Sequence, residues 1–213
     1  MNSFKPSNPV YFELTAITVT ALLKFIIMDW LGMRAFYITG TSLFWAGYVY
    51  YRYSYDHNVL KYWGFRKENF LKSWTVLLPF LVLCLSLAAL FAHHNNAVYF
   101  SWQILPVLIL YPLWGIIQQF IFLCIITLNL QRISFFSRNN LLLFLLVALI
   151  FSLIHYPYFS LMIFTFAMEI VFVLVYWKWR NLWAIGLAHG WIATFILYYV
   201  LNRNLWSELF AWF

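Results

Sequence analysis

Long apolar stretches separated by short polar segments make up the chain from residue 9 to residue 201. A membrane-spanning helix needs about 20 consecutive, mostly apolar residues. The pattern predicts seven such spans: 9–28, 33–53, 73–92, 103–131, 139–156, 158–178 and 182–201. In the fourth span, Pro106 and Pro112 predict a kink, because proline removes a helix hydrogen bond. The predicted fold is therefore an all-α, polytopic transmembrane helical bundle, with residues 1–213 forming a single transmembrane domain.

Composition agrees with this pattern. Hydrophobic residues make up 65% of the chain and charged residues only 9%. A soluble domain of this size carries about 25% charged residues. The chain has too little charge to cover a surface that faces water, so we predict that its main partner is the lipid bilayer.

The basic residues fall mainly in alternate loops, which indicates an orientation. If the amino terminus lies inside, the inner segments hold Lys5, Arg52, Lys61, Arg66, Lys67, Lys72, Arg132, Arg138, Lys178 and Arg180, and the outer ones hold Arg34 and Arg203. The positive-inside rule predicts such a bias, so we place the amino terminus inside and the carboxyl terminus outside. The net charge of +7 is then a loop property, and we predict no nucleic-acid partner. A bacterial cytoplasmic membrane fits, although an endomembrane would give the same pattern.

Few ionisable or amide side chains lie within the predicted spans, and such residues mark function by default. The candidates at membrane depth are Glu13, Lys24, Gln118, Gln119, His155, Glu169 and His189. If the last two spans form a hairpin that turns near Arg180, Glu169 and His189 both lie about 15 Å from the inner face and can meet. A carboxylate beside an imidazole can be a catalytic base, a pair of metal ligands or a buried ion pair, and the sequence leaves all three open.

The surroundings of the other polar residues also leave alternatives. Gly186 and Gly190 flank His189 on one helix face, which favours close approach of another helix. Gln118 and Gln119 can form hydrogen bonds between helices or belong to a site, but an amide is no general base. His155 falls near the outer end of its span. It meets the deeper His189 only if its helix stops short of the membrane surface or if the helices tilt.

The order of these motifs resembles the CPBP family of intramembrane proteases, which includes the CAAX proteases and bacteriocin-processing proteins. That family carries a glutamate pair followed by an arginine, then Phe-x-x-x-His, then His-x-x-x-Asn, all in membrane helices. Here the second motif is complete from Phe151 to His155, and the third begins at His189 but has Ala193 at its end. In the first motif, Gln118 and Gln119 stand where two glutamates would be, and Leu123 stands at the arginine. The resemblance covers about residues 106–200.

The resemblance implies cleavage of a peptide bond in or near the membrane, with a membrane protein or peptide as substrate or partner. It implies catalytic roles for His155, His189, Glu169, Gln118 and Gln119, with Glu169 or a histidine as the base. A divalent metal such as zinc, held by His155 and His189 with Glu169, is one way to activate water.

Two other functions stay open. The neutral first motif favours a catalytically inactive family member that acts as a membrane scaffold or peptide-binding partner. Intramembrane Glu and His residues also suit a small transporter that relays protons, although no inverted repeat is visible.

Overall fold

The structure is a computed structural model that describes residues 9–95 and 102–210, with side chains to residue 208. Lys5 and residues 211–213 lie outside the described residues. Regular structure in the described part is helical throughout. The helices are α1 (Pro9–Trp30), α2 (Arg34–Tyr55), α3 (Val59–Trp63), α4 (Phe70–His94), α5 (Ile104–Gln131), α6 (Ser134–Arg138), α7 (Asn140–Leu153), α8 (Phe159–Trp179), α9 (Leu182–Val200) and α10 (Leu205–Phe210).

The predicted all-α membrane fold is confirmed. Five helices, namely α1, α4, α5, α8 and α9, are long and apolar enough to cross a membrane. The other two predicted spans also form helices, at α2 and α7. Helix α2 has 22 residues but is less apolar, whereas α7 is apolar but only 14 residues long. The count of seven spans and the inside placement of the amino terminus stay predictions.

Helix α5 occupies the centre of the bundle. In its most apolar window 72% of the residues are buried, compared with 6% in α1. Pro112 lies inside α5, and the helix widens to a π-helical stretch at Phe120–Ile126 in which every residue is buried. Such insertions are frequent at functional sites. The prolines therefore leave α5 continuous, and its departure from regular α-helix comes after them.

A short turn at Arg180 joins α8 to α9, as the hairpin prediction requires. Arg180 takes a left-handed conformation, and the Asn181 side chain accepts a hydrogen bond of 3.1 Å from the amide of Ala184, which caps α9. Arg66 donates to the carbonyl oxygens of Trp179 and Arg180, at 2.7 and 3.0 Å. This turn fixes the register of α8 against α9 and therefore the relative heights of residues in the two helices.

A buried polar cluster links α1, α2 and α5 near the predicted inner end. Oε1 of Glu13 accepts hydrogen bonds from the Tyr48 hydroxyl and from Nη1 of Arg52, the latter at 3.1 Å. Its Oε2 accepts from Nδ2 of Asn129 at 2.6 Å. We call Glu13, Tyr48, Arg52 and Asn129 the inner cluster. Both carboxylate oxygens of Glu13 are satisfied, and a cation offsets its charge.

Candidate active site

Glycines bring α9 against α5, as the sequence predicted for Gly186 and Gly190. A Cβ atom on Gly190 would lie 2.3 Å from the Cα of Pro112, and one on Gly186 would lie 2.7 Å from the Cα of Ile116. Gly115 of α5 faces the same contact, with the carbonyl of Gly186 2.7 Å from its would-be Cβ. Backbone contact at this range needs residues without a side chain. It places His189, one residue before Gly190, beside the end of the regular part of α5.

A single amide connects the buried polar residues of three helices. Nε2 of Gln119 lies 2.8 Å from Oε2 of Glu169 and 2.9 Å from Nδ1 of His189. Gln119 and Glu169 are fully buried, and His189 is nearly so. The sequence predicted that Glu169 and His189 would lie at the same height. The structure brings them together through Gln119, a connection that the sequence analysis did not anticipate.

Two phenylalanine rings hold the imidazole of His189. Phe151 meets it edge-on with ring centroids 5.5 Å apart, and Phe172 packs at 6.0 Å with an angle of 30° between the rings. Phe151 also contacts the His155 ring at 5.1 Å. The first residue of the Phe-x-x-x-His motif therefore packs between the two histidines, and it restricts rotation of the His189 ring.

His155 reaches the site because α7 is short. A helix of 14 residues spans about 21 Å, whereas the hydrocarbon core is about 30 Å thick. Helix α7 ends at Leu153, and His155 lies in the turn that follows. A helix of this length agrees with the first of the two alternatives, a helix that stops short of the surface, and the choice between them stays a prediction.

His155 and His189 line one cavity of about 110 Å³. Gln118 lines it as well, while its neighbour Gln119 points away to Glu169. Among the described residues, no carboxylate lines this cavity. Its other walls are Lys24, Met28, Tyr37, Tyr111, Trp114, Ile154, Leu161, Phe164, Thr165, Met168, Ala193, Ile196, Leu197 and Arg203. Glu169 is therefore one layer behind the cavity wall, and Arg203 is a wall residue that the sequence analysis did not single out.

The hydrogen bonds assign different roles to the two imidazoles. A backbone carbonyl only accepts, so Nδ1 of His155 donates its proton to the carbonyl oxygen of Phe151, 2.9 Å away. The Nε2 atom of neutral His155 then carries a lone pair. An amide nitrogen only donates, so Nδ1 of His189 accepts from Gln119, and the proton of neutral His189 resides on Nε2. One ring offers an acceptor and the other a donor.

A metal centre of the catalytic type needs about three protein ligands. Within residues 9–95 and 102–208, no three His, Cys, Asp or Glu side chains gather closely enough to hold a metal ion. The predicted set of His155, His189 and Glu169 therefore does not fit a three-ligand centre, and we derive no step through a metal. Metal binding by His155 and His189 alone stays a prediction from the resemblance.

The fold and site define a polytopic membrane protein with a mainly apolar cavity between its helices, lined on one side by His155, His189 and Gln118. Residues 100–196 match a family model described as type II CAAX prenyl endopeptidase Rce1-like. This match confirms the resemblance to the CPBP family over the region that contains every motif residue. No curated protein and no solved structure matches the chain.

Proposed function

We propose that the protein hydrolyses a peptide bond of a membrane protein or peptide, and that His155 is the general base. The observation that carries the proposal is the complementary hydrogen bonding of His155 and His189 on one cavity. A hydrolase of this kind needs a base for water and a donor for the oxygen of the carbonyl group. The two histidines supply both without the glutamate pair of the family.

The reaction then runs as follows. Nε2 of His155 takes a proton from water while the water oxygen forms a bond to the carbonyl carbon. The N–H of His189 at Nε2 donates to the oxyanion that develops, and the Gln118 amide is a second donor on the same wall. When the C–N bond breaks, protonated His155 returns its proton to the leaving nitrogen. Glu169 takes no part in proton transfer, because it does not line the cavity.

The setting supports a substrate that reaches the site from the bilayer. The helices around the cavity belong to an integral membrane protein, and the cavity walls are mainly apolar or aromatic. We propose that the membrane is the bacterial cytoplasmic membrane, which fits the bias of loop charge as an endomembrane also would.

The test compares cellular protein termini among wild type, His155→Ala and His94→Ala strains with matched expression. His94 is an exposed histidine at the end of α4, so its substitution is a matched control. We expect termini near membrane segments that occur in wild type and His94→Ala and are lost in His155→Ala. Removal of a general base lowers rates about 10²- to 10⁴-fold. Identical termini in all three strains would overturn the proposal.

A second candidate, peptide binding without cleavage, is favoured by one observation. Gln118, at the position of a family glutamate, presents a neutral amide to the cavity. Under this function, a photoreactive group placed at Ala193 captures the same membrane peptides in wild type and His155→Ala. If the protein instead cleaves its substrate, the photoreactive group captures intact substrate only in His155→Ala.

A further inference from the structure

We propose that Glu169 is a positioning residue that sets the tautomer of His189 by fixing the orientation of the Gln119 amide. The inference deepens the proposed function and rests on it. Gln119 has two ends with opposite roles, an Nε2 that donates and an Oε1 that accepts. Which end faces His189 decides whether Nδ1 of that ring accepts or donates, and therefore whether Nε2 carries the proton toward the cavity.

The carboxylate of Glu169 selects the orientation. Its Oε2 lies 2.8 Å from Nε2 of Gln119, a favourable contact between donor and acceptor. While Glu169 is ionised, turning the amide over would place Oε1 against Oε2, two acceptors in contact, in a fully buried place where such contacts are costly. The unpartnered atoms are consistent with this selection. Oε1 of Gln119 and Oε1 of Glu169 are buried without a hydrogen-bond partner among the described residues.

The unpartnered oxygen of Gln119 shows that the contacts of its nitrogen determine the orientation of the amide. Gln119 leaves its own acceptor unsatisfied in order to direct its nitrogen to both Glu169 and His189. A buried group without a partner costs about 1–3 kcal/mol. An arrangement with that cost persists only where other contacts hold it. Phe151 and Phe172 also hold the His189 ring in place. The ring cannot turn over and exchange its two nitrogens without displacing these two phenylalanines.

The inference also accounts for the position of the acid. The family motif has glutamate at the place of Gln119, whereas this chain has Glu169 on α8 opposite an amide on α5. Two carboxylates at 2.8 Å would have to share a proton. A single carboxylate that faces an amide does not have to share a proton. The amide at residue 119 also donates to His189, whereas a glutamate there would accept. His189 is thereby assigned as a donor to the cavity.

The experiment reads the tautomer directly. NMR of the imidazole nitrogens in full-length protein with isotopically labelled histidine separates a protonated from an unprotonated nitrogen. The chain has five histidines, and the His189 signals are assigned by their loss in His189→Ala. We expect His189 to be protonated at Nε2 in wild type. Glu169→Gln still offers an acceptor oxygen to Gln119 and should keep this tautomer, whereas Glu169→Leu offers none and should lose it or give a mixture.

Two results would overturn the proposal: wild-type His189 protonated at Nδ1, or Glu169→Leu with the wild-type tautomer. If Glu169→Leu does not fold, Gln119→Met removes the amide instead and should likewise release the tautomer. Cleavage is measured on the same samples. We expect Glu169→Gln to cleave at near wild-type rate and Glu169→Leu to cleave about 10- to 100-fold more slowly, the range found when groups behind a reactive residue are removed. An intact tautomer effect without any cleavage would reject the proposed function alone.

Discussion

Two buried carboxylates in this molecule have different surroundings. Glu13 in the inner cluster has both oxygens satisfied and a guanidinium beside it. Within the described residues, Glu169 has one hydrogen-bond partner, no cation in contact, and one oxygen left without a partner. A carboxylate that is paired and fully bonded holds helices together. One that is kept under-satisfied beside the proposed catalytic histidine points to a role other than stability. The comparison therefore sets a structural acid, Glu13, against the positioning residue that we propose, Glu169.

The largest effect on stability is expected from Glu13→Leu. The change leaves Asn129 without its acceptor and Arg52 without its carboxylate partner, although Arg52 still donates to the Tyr48 hydroxyl. Removing one partner of a buried pair costs about 3–5 kcal/mol. Arg52 is 27% exposed, so the loss should lie at or below the lower end of that range. Thermal unfolding in detergent measures it. Asp29→Asn, at the more exposed ion pair with Lys24, is the control and should change little.

Glu169→Leu should change the unfolding free energy little, in contrast to Glu13→Leu. Leucine removes one hydrogen bond but also removes an unsatisfied oxygen, and Gln119 keeps His189 as a partner. We expect a change in unfolding free energy within about 1 kcal/mol. A loss as large as that of Glu13→Leu in the same unfolding assay would mean that Glu169 is a structural acid too.

Gly190→Ala tests the packing that presents His189. The new methyl group would meet the backbone of Pro112 at 2.3 Å, so α9 or α5 has to shift. Overpacking of this kind costs about 1–3 kcal/mol. Gly40→Ala, where nothing lies within 4 Å of the added atom, is the matched control and should leave the unfolding temperature unchanged or slightly raised, because alanine is the better helix former. Equal unfolding temperatures for the two variants would contradict the close contact.

The smallest effect concerns the ion pairs of the tail helix α10. Burial alone would raise the pKa of Glu208, but the hydrogen bonds and charges of Arg203 and Arg34 outweigh burial and hold that pKa below its ordinary value of 4.5. A lowered pKa means that the stabilisation is present above pH 4.5 and is lost as the pH falls through the pKa of the folded state.

Hydrogen exchange of α10 measures this docking. Below pH 4.5 we expect loss of protection worth about 0.5–1 kcal/mol, because the pair is partly solvated. In Glu208→Gln, the protection of the α10 amides from hydrogen exchange should stay constant across the same pH range. Unchanged protection of wild type on acidification would show that the ion pairs do not hold the tail.

The sequence alone determined the membrane fold and supplied the candidate residues of the site. Apolar runs long enough to cross a bilayer identify helices whatever their packing, because backbone groups in lipid must be satisfied within the helix. The Phe-x-x-x-His spacing and the glycines beside His189 likewise pointed to the family and to the contact with α5, since both are local patterns along one helix.

Only the tertiary structure decided how the polar groups pair. Glu169, Gln119 and His189 lie on three different helices, and a hydrogen bond between helices depends on rotation and depth to within about 1 Å, which no single-helix pattern encodes. The depth of His155 depended on where α7 ends, and the choice of Gln119 over His189 as the partner of Glu169 depended on how α5 packs between α8 and α9. Helices are specified locally, whereas contacts between them are properties of the assembled bundle.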